Sequence, residues 1–109
     1  MEVKNTSASE RFSGDKMSKV NLFETPRFFC DVYCLQPGQS QRLHTHAASD
    51  KVYHVLRGEP TVTVGDESRI LGPGDTVLAA AGAVHGVANA GTEESALLVF
   101  MAPHPDAAG

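Results

Sequence analysis

The residues of this 109-residue chain best suited to chemistry are histidines, and their spacing is that of metal ligands. His44 and His46 stand two apart in the stretch PGQSQRLHTHAASDKVYHVLRG, which runs from Pro37 to Gly58. On an extended segment that interval puts both imidazoles on one face, with Cα atoms roughly 7 Å apart. Two rings can lean across that gap onto one cation, at about 2.0–2.1 Å from each nitrogen. His85 follows in a second glycine-punctuated stretch, GPGDTVLAAAGAVHGVANAG, residues 72–91. Laid side by side, the two stretches would bring three nitrogens into one pocket. Neutral imidazole suits a divalent ion such as Fe, Mn, Ni or Zn. Three protein ligands would leave positions open for water, substrate or dioxygen. The plainer alternative is that the three rings only satisfy hydrogen bonds inside a small core.

The elements that must carry these residues are short and β-like. Runs with strand character cover Lys19–Glu24, Arg27–Gln36, Gln41–His46, Lys51–Arg57, Thr61–Val64, Ser68–Leu71, Thr76–Ala79, Val84–Ala88 and Ala96–Met101. Pro37-Gly38 and Pro73-Gly74 each fit a type II turn, with proline second and glycine third. Gly65-Asp66 reads as a tight hairpin loop. About nine short strands with no amphipathic helix indicate an all-β fold, a barrel or jelly roll. Residues 1–17 read as a flexible polar arm, with a helical turn over Ala8–Phe12 capped by Ser7. Residues 18–102 form the barrel and 103–109 a frayed tail, in which His104 is expected to be exposed. The run Leu97-Leu98-Val99-Phe100 is apolar on both faces, which predicts a covered outer sheet face and a homodimer.

Composition narrows the function. A net charge of −4 and a pI near 5.6 leave no basic footprint for nucleic acid. No apolar run approaches the roughly 20 residues needed to cross a bilayer. The first residues lack the apolar core of a secretory signal, so the expected compartment is cytoplasmic. Cys30 and Cys34, four apart on one strand, would have Cα atoms about 13 Å apart, too far to bridge. Reduced thiols agree with that compartment.

Both histidine stretches resemble the paired motifs of the cupin superfamily. Gly38, His44, His46 and Gly58 fall at the spacing of its first motif, and Gly74, Gly82, His85 and Asn89 at that of its second. Lys51 stands where that family has a glutamate, and Ala80 where it has a proline. The segment between the motifs, Glu59 to Pro73, is short for the family, and the likeness extends over roughly residues 19–102. The resemblance implies one small cupin unit, a double-stranded β-helix, with His44, His46 and His85 as metal ligands. It does not fix a reaction, because the scaffold hosts many functions.

Lysine at the carboxylate position is the departure with consequences. Against a divalent ion 4 Å away, an ammonium costs about 8 kcal/mol at an effective dielectric of 20, where a carboxylate would gain as much. The amine can swing aside and leave a three-histidine site like that of thiol dioxygenases. It can instead lose its proton in a dry pocket, or fill a cavity that holds no metal. Asp50 replaces the missing carboxylate only if a bulge re-aims it. With Lys51 facing inward, Tyr53 and Val55 share its face, and Val52, His54 and Leu56 point outward. Lys51 and Tyr53 are thus the candidate substrate-binding residues. The expected protein is a metal-dependent cupin acting on a small polar metabolite, by oxygenase-type or isomerase-type chemistry. The alternatives are a metal-free cupin binding a small molecule or anion without catalysis, and a structural dimer with a vestigial pocket.

Overall fold

The apolar runs between turn residues do form strands. A computed structural model, which describes residues 1–106, contains nine of them. They are β1 (Ser18–Thr25), β2 (Phe28–Leu35), β3 (Ser40–His44), β4 (Asp50–Arg57), β5 (Thr61–Val64), β6 (Glu67–Ile70), β7 (Thr76–Ala79), β8 (His85–Ala88) and β9 (Ser95–Ala102). The strands build two antiparallel sheets, ordered β1-β2-β9-β4-β7 and β3-β8-β5-β6. This is the expected all-β jelly roll. The expected turns are present: Gln39 N–H donates to Gln36 O and Asp75 N–H to Gly72 O, both at 3.0 Å, with Gly38 at φ +88° and Gly74 at φ +92°.

The core lies between the sheets. Tyr33, Leu35, Tyr53, Val55, Leu97 and Val99 of the larger sheet meet Val62 and Val87 of the smaller one, all nearly solvent-free. Removing each such side chain from water stabilises the fold by about 1.5–3 kcal/mol. On β4 the alternation holds as read: Lys51, Tyr53 and Val55 are buried, while Val52, His54 and Leu56 are only half-buried. His54 faces outward and its Nδ1 lies 2.7 Å from Thr76 Oγ1.

A second apolar layer covers part of the larger sheet's outer face, with Leu22, Val32, Cys34 and Ala96 at its centre and Phe12 packed against it. Cys30 and Cys34 are free thiols on this sheet. Arm residues contact the barrel through Glu10, whose carboxylate lies 2.7 Å from Arg57, and through Ser13 O, which accepts from Gln39 Nε2 at 2.7 Å. The helical turn is shorter and earlier than the sequence indicates, a 3-10 turn over Ser7–Ser9. Ser7 lies inside it and does not cap it; Asn5 Oδ1 accepts the Ala8 N–H at 3.0 Å instead. On the outer face of the same larger sheet Phe100 stacks on Phe28, yet Phe100 remains 39% and Leu78 59% exposed.

His104 is not the exposed side chain expected. Its ring packs edge-on against Phe29, and Nε2 lies 2.9 Å from Glu24 Oε2. The backbone explains this, since His104 N–H donates to Arg27 O at 2.9 Å and draws residues 103–104 onto the sheet. The rest of the expected frayed tail, 107–109, lies outside the described residues.

Candidate metal centre

The two histidine stretches meet because β3 pairs with β8. His44, the last residue of β3, is the cross-strand partner of His85, the first of β8. His46 lies two residues past the end of β3, where the sequence places it still within the strand. It is held by the β7–β8 turn, as Gly82 N–H donates to His46 O at 2.9 Å. A bulge on β3 between Gln41 and His44 sets the direction of the side chains. Three residues apart on a regular strand, those two would face opposite ways; the extra residue lets both face inward. Gly86 makes room for it, since a Cβ there would sit 2.9 Å from both Gln41 O and Leu43 Cδ2.

The outcome is a cluster of three imidazoles. Ring centroids are 4.4 Å apart for His44 and His85, 5.0 Å for His44 and His46, and 5.6 Å for His46 and His85. One ring nitrogen from each lies within 4.8 Å of the others. His44 Nδ1 is 2.9 Å from Arg42 O and His85 Nδ1 is 3.0 Å from Ala83 O. A carbonyl can only accept, so Nδ1 carries a proton in both rings, and the neutral form of each ring then offers the lone pair of Nε2.

Electrostatics favour neutral rings at His46 and His85. Burial pushes the His85 pKa down to about 4, with Lys51 and the two other histidines adding to the effect against the Ala83 hydrogen bond. Burial also lowers that of His46, followed by the nearby His44 and Lys51. His85 Nε2 is solvent-free and, among the described residues, has no hydrogen-bond partner. A buried lone pair of that kind is costly unless something meets it. Nitrogens bound to one ion at about 2.1 Å are at most about 4.2 Å apart, so ring movements of under about 1 Å would close the cluster around a cation. The donor set fits a divalent ion.

Among the described residues no carboxylate joins the cluster. Asp50 is exposed, and its Oδ1 accepts the Ala81 N–H at 2.8 Å, so the bulge that would re-aim it is absent. Lys51 is buried to 1% exposure, yet its amine is not among the imidazoles. Nζ sits 5.1 Å from the ring centres of both Tyr33 and Tyr53 and donates to Gln41 Oε1 at a long 3.4 Å. Burial, then the charge on Lys19, brings its pKa down to about 7, with Asp31 opposing. The Tyr53 ring is 6.3 Å from that of His85, and its buried hydroxyl has no hydrogen-bond partner among the described residues. Burial raises the Tyr53 pKa, so the phenol stays protonated.

Sequence reasoning does not single out Gln41, Tyr33 or Asp31, which surround the amine. Gln41 is hidden by the bulge, and Tyr33 by a run of five buried residues, Asp31–Leu35, that shows no alternation. Asn89, the last residue of the second motif, has a structural role. Its Nδ2 donates to Leu35 O at 3.0 Å and Glu93 O at 2.8 Å, and its Oδ1 accepts from Gly91 N–H at 3.1 Å.

Comparison with known proteins agrees with this architecture. Residues 31–101 match the family model described as Cupin domain. A protein of known structure from Thermus thermophilus is 45% identical, with a TM-score of 0.94 over 96% of this chain and 100% of that one. A conserved double-stranded β-helix protein from Klebsiella pneumoniae is 26% identical, with a TM-score of 0.88 over 99% of this chain and 94% of that one. A predicted oxalate decarboxylase from Thermotoga maritima, 19% identical, shares the fold with a TM-score of 0.74 over 85% and 96% of the two chains. No curated protein sequence matches. Among the described residues no helix is long and apolar enough to cross a membrane.

Proposed function

The chain belongs to the cupin domain family, and from that premise we propose that it is a metal-dependent cupin acting on a small polar metabolite. In this reading His44, His46 and His85 hold one divalent ion, Fe, Mn, Ni or Zn. The observation that carries it is the solvent-free, partnerless Nε2 of His85 within a cluster of three close imidazoles. When bound, the ion supplies Lewis acidity or, if redox-active, a place for dioxygen to react. The protein supplies the rest. Hydrogen bonds to Arg42 O and Ala83 O fix two of the rings in the tautomer that offers Nε2. Tyr53, kept protonated by burial, donates a hydrogen bond to a substrate oxygen. Lys51, with a pKa near 7, binds an acidic group and exchanges a proton with it. The activity is of oxygenase type with a redox-active ion and of isomerase type with zinc.

The second reading is a metal-free cupin that binds an anion without catalysis, and Lys51 is what favours it. Among the described residues this buried amine has no carboxylate within 4 Å. Metal analysis of protein purified without added metal separates the two. About one ion per chain supports the enzyme, and a metal-free chain that cannot be loaded supports the binder. We further propose a cytoplasmic homodimer, packed through the outer face that carries Leu78 and Phe100. Light scattering giving twice the chain mass would support the dimer.

A further inference from the structure

Between the arm and β3 the barrel has a side opening of about 570 Å³, lined by Lys16, Lys19, Ser40 and Gln41 among others, whose charged residues are all lysines. Gln41 forms both part of its wall and the hydrogen-bond partner of Lys51, so the opening ends one side chain away from the buried amine. Lys51 has three N–H donors and one partner at 3.4 Å. The buried Asp31 acts on both Lys51 and Lys19 from the same inner face, but among the described residues no carboxylate lies within 4 Å of the Lys51 amine. A 3.4 Å contact to a neutral carboxamide is weak beside the 2.7–2.9 Å of an ammonium–carboxylate bond. Lys19 and Lys51 share one ring: Lys19 Nζ is 5.6 Å and Lys51 Nζ 5.1 Å from the centre of Tyr33. The two nitrogens are thus at most about 11 Å apart, the sum of 5.6 and 5.1 Å.

We infer that this opening admits the ligand of the barrel, and that the ligand is a small molecule with two separated anionic ends, of the aliphatic dicarboxylate class. One carboxylate displaces the Gln41 carboxamide from Lys51, on the side facing the histidines. The other stays at the opening on Lys19, with Lys16 adding to the attraction. A four-carbon diacid making N–H···O contacts of about 2.8 Å at each end spans such a gap. A monoacid meets only one lysine, and inorganic phosphate places its charge at one point. The inference deepens the proposed function by naming the substrate class of the same pocket, but it rests on the lysines and not on a bound ion.

Calorimetric titration of the full, metal-free chain with succinate, propionate and inorganic phosphate tests it. Succinate should bind about two- to fivefold more tightly than propionate, the strength of one added, exposed charge contact. Lys19→Gln, at an exposed position that leaves the core intact, should abolish that preference without changing zinc uptake or the circular dichroism spectrum. Lys51→Met should remove binding of both acids. Equal binding of succinate and propionate, tighter binding of phosphate, or a preference that survives Lys19→Gln would overturn the inference. Because no metal is present in this titration, a chain that proves unable to hold metal would end the enzyme reading and leave this result unaffected.

Discussion

Replacing Lys51 with methionine should make the metal-free protein more stable, by an amount that depends on pH. The native chain holds this amine at 1% exposure with one long hydrogen bond. Its pKa falls from 10.5 to about 7. At about 1.4 kcal/mol per pH unit, keeping the proton on the buried amine costs up to about 5 kcal/mol. Methionine keeps most of the stem but loses the contacts of the ammonium with Tyr33 and Tyr53, about 0.5–2 kcal/mol each. The net gain expected below pH 7 is about 1–4 kcal/mol. The sign follows from proton counting. Between about pH 7 and 10.5 the unfolded wild type holds a proton that the folded form has released, so wild-type stability rises with pH in that window. Below it both states are protonated and the cost is complete; above it both are neutral and the cost is gone. Urea denaturation followed by circular dichroism in chelator, at about pH 6 and about pH 9, measures the gap directly. The gap should be wide at the lower pH and narrow at the higher. A variant less stable than wild type at about pH 6, or a gap that does not change, would refute the claim that the amine is a buried, unmatched cation.

Other substitutions test the surroundings of the site. Lys51→Glu restores the carboxylate usual for the family and replaces repulsion with attraction, so zinc affinity by chelator competition should rise at least about tenfold; no change would mean that the side chain does not face the ion. Gly86→Ala pushes a methyl group into Gln41 O and Leu43 Cδ2, each 2.9 Å away. It should cost about 1–3 kcal/mol in denaturation and weaken zinc binding, because the bulge it displaces directs His44 inward. Asn89→Ala leaves the carbonyls of Leu35 and Glu93 without their side-chain donor. A loss of about 1–3 kcal/mol with unchanged zinc stoichiometry is expected there; loss of the metal would make Asn89 part of the centre.

Much of the fold was legible because its signals are local. Pro-Gly turns at 37–38 and 73–74 and the Gly65-Asp66 hairpin interrupt the chain where the strands end. Alternation on β4 correctly turned Lys51 and Tyr53 inward and His54 outward. The convergence of His44, His46 and His85 followed from two-residue spacing together with the pairing of two strands. What escaped depended on distant or irregular structure. Counting residues assumes a regular strand, and the bulge after Gln41 defeats the count. Asp50 is claimed by a backbone N–H from the β7–β8 turn, 31 positions away in the chain. His104 depends on a contact with Glu24, 80 positions away. No periodicity reports partners of that kind.

The central claim is that three imidazoles form one metal site, and a cobalt(II) titration monitored by visible absorption examines it most directly. The account predicts saturation at about one ion per chain with a histidine-ligand spectrum, which disappears in His44→Ala, His46→Ala and His85→Ala alike while each variant stays folded. Full-intensity binding that survives any one of those changes, or no binding by the wild type, would contradict it.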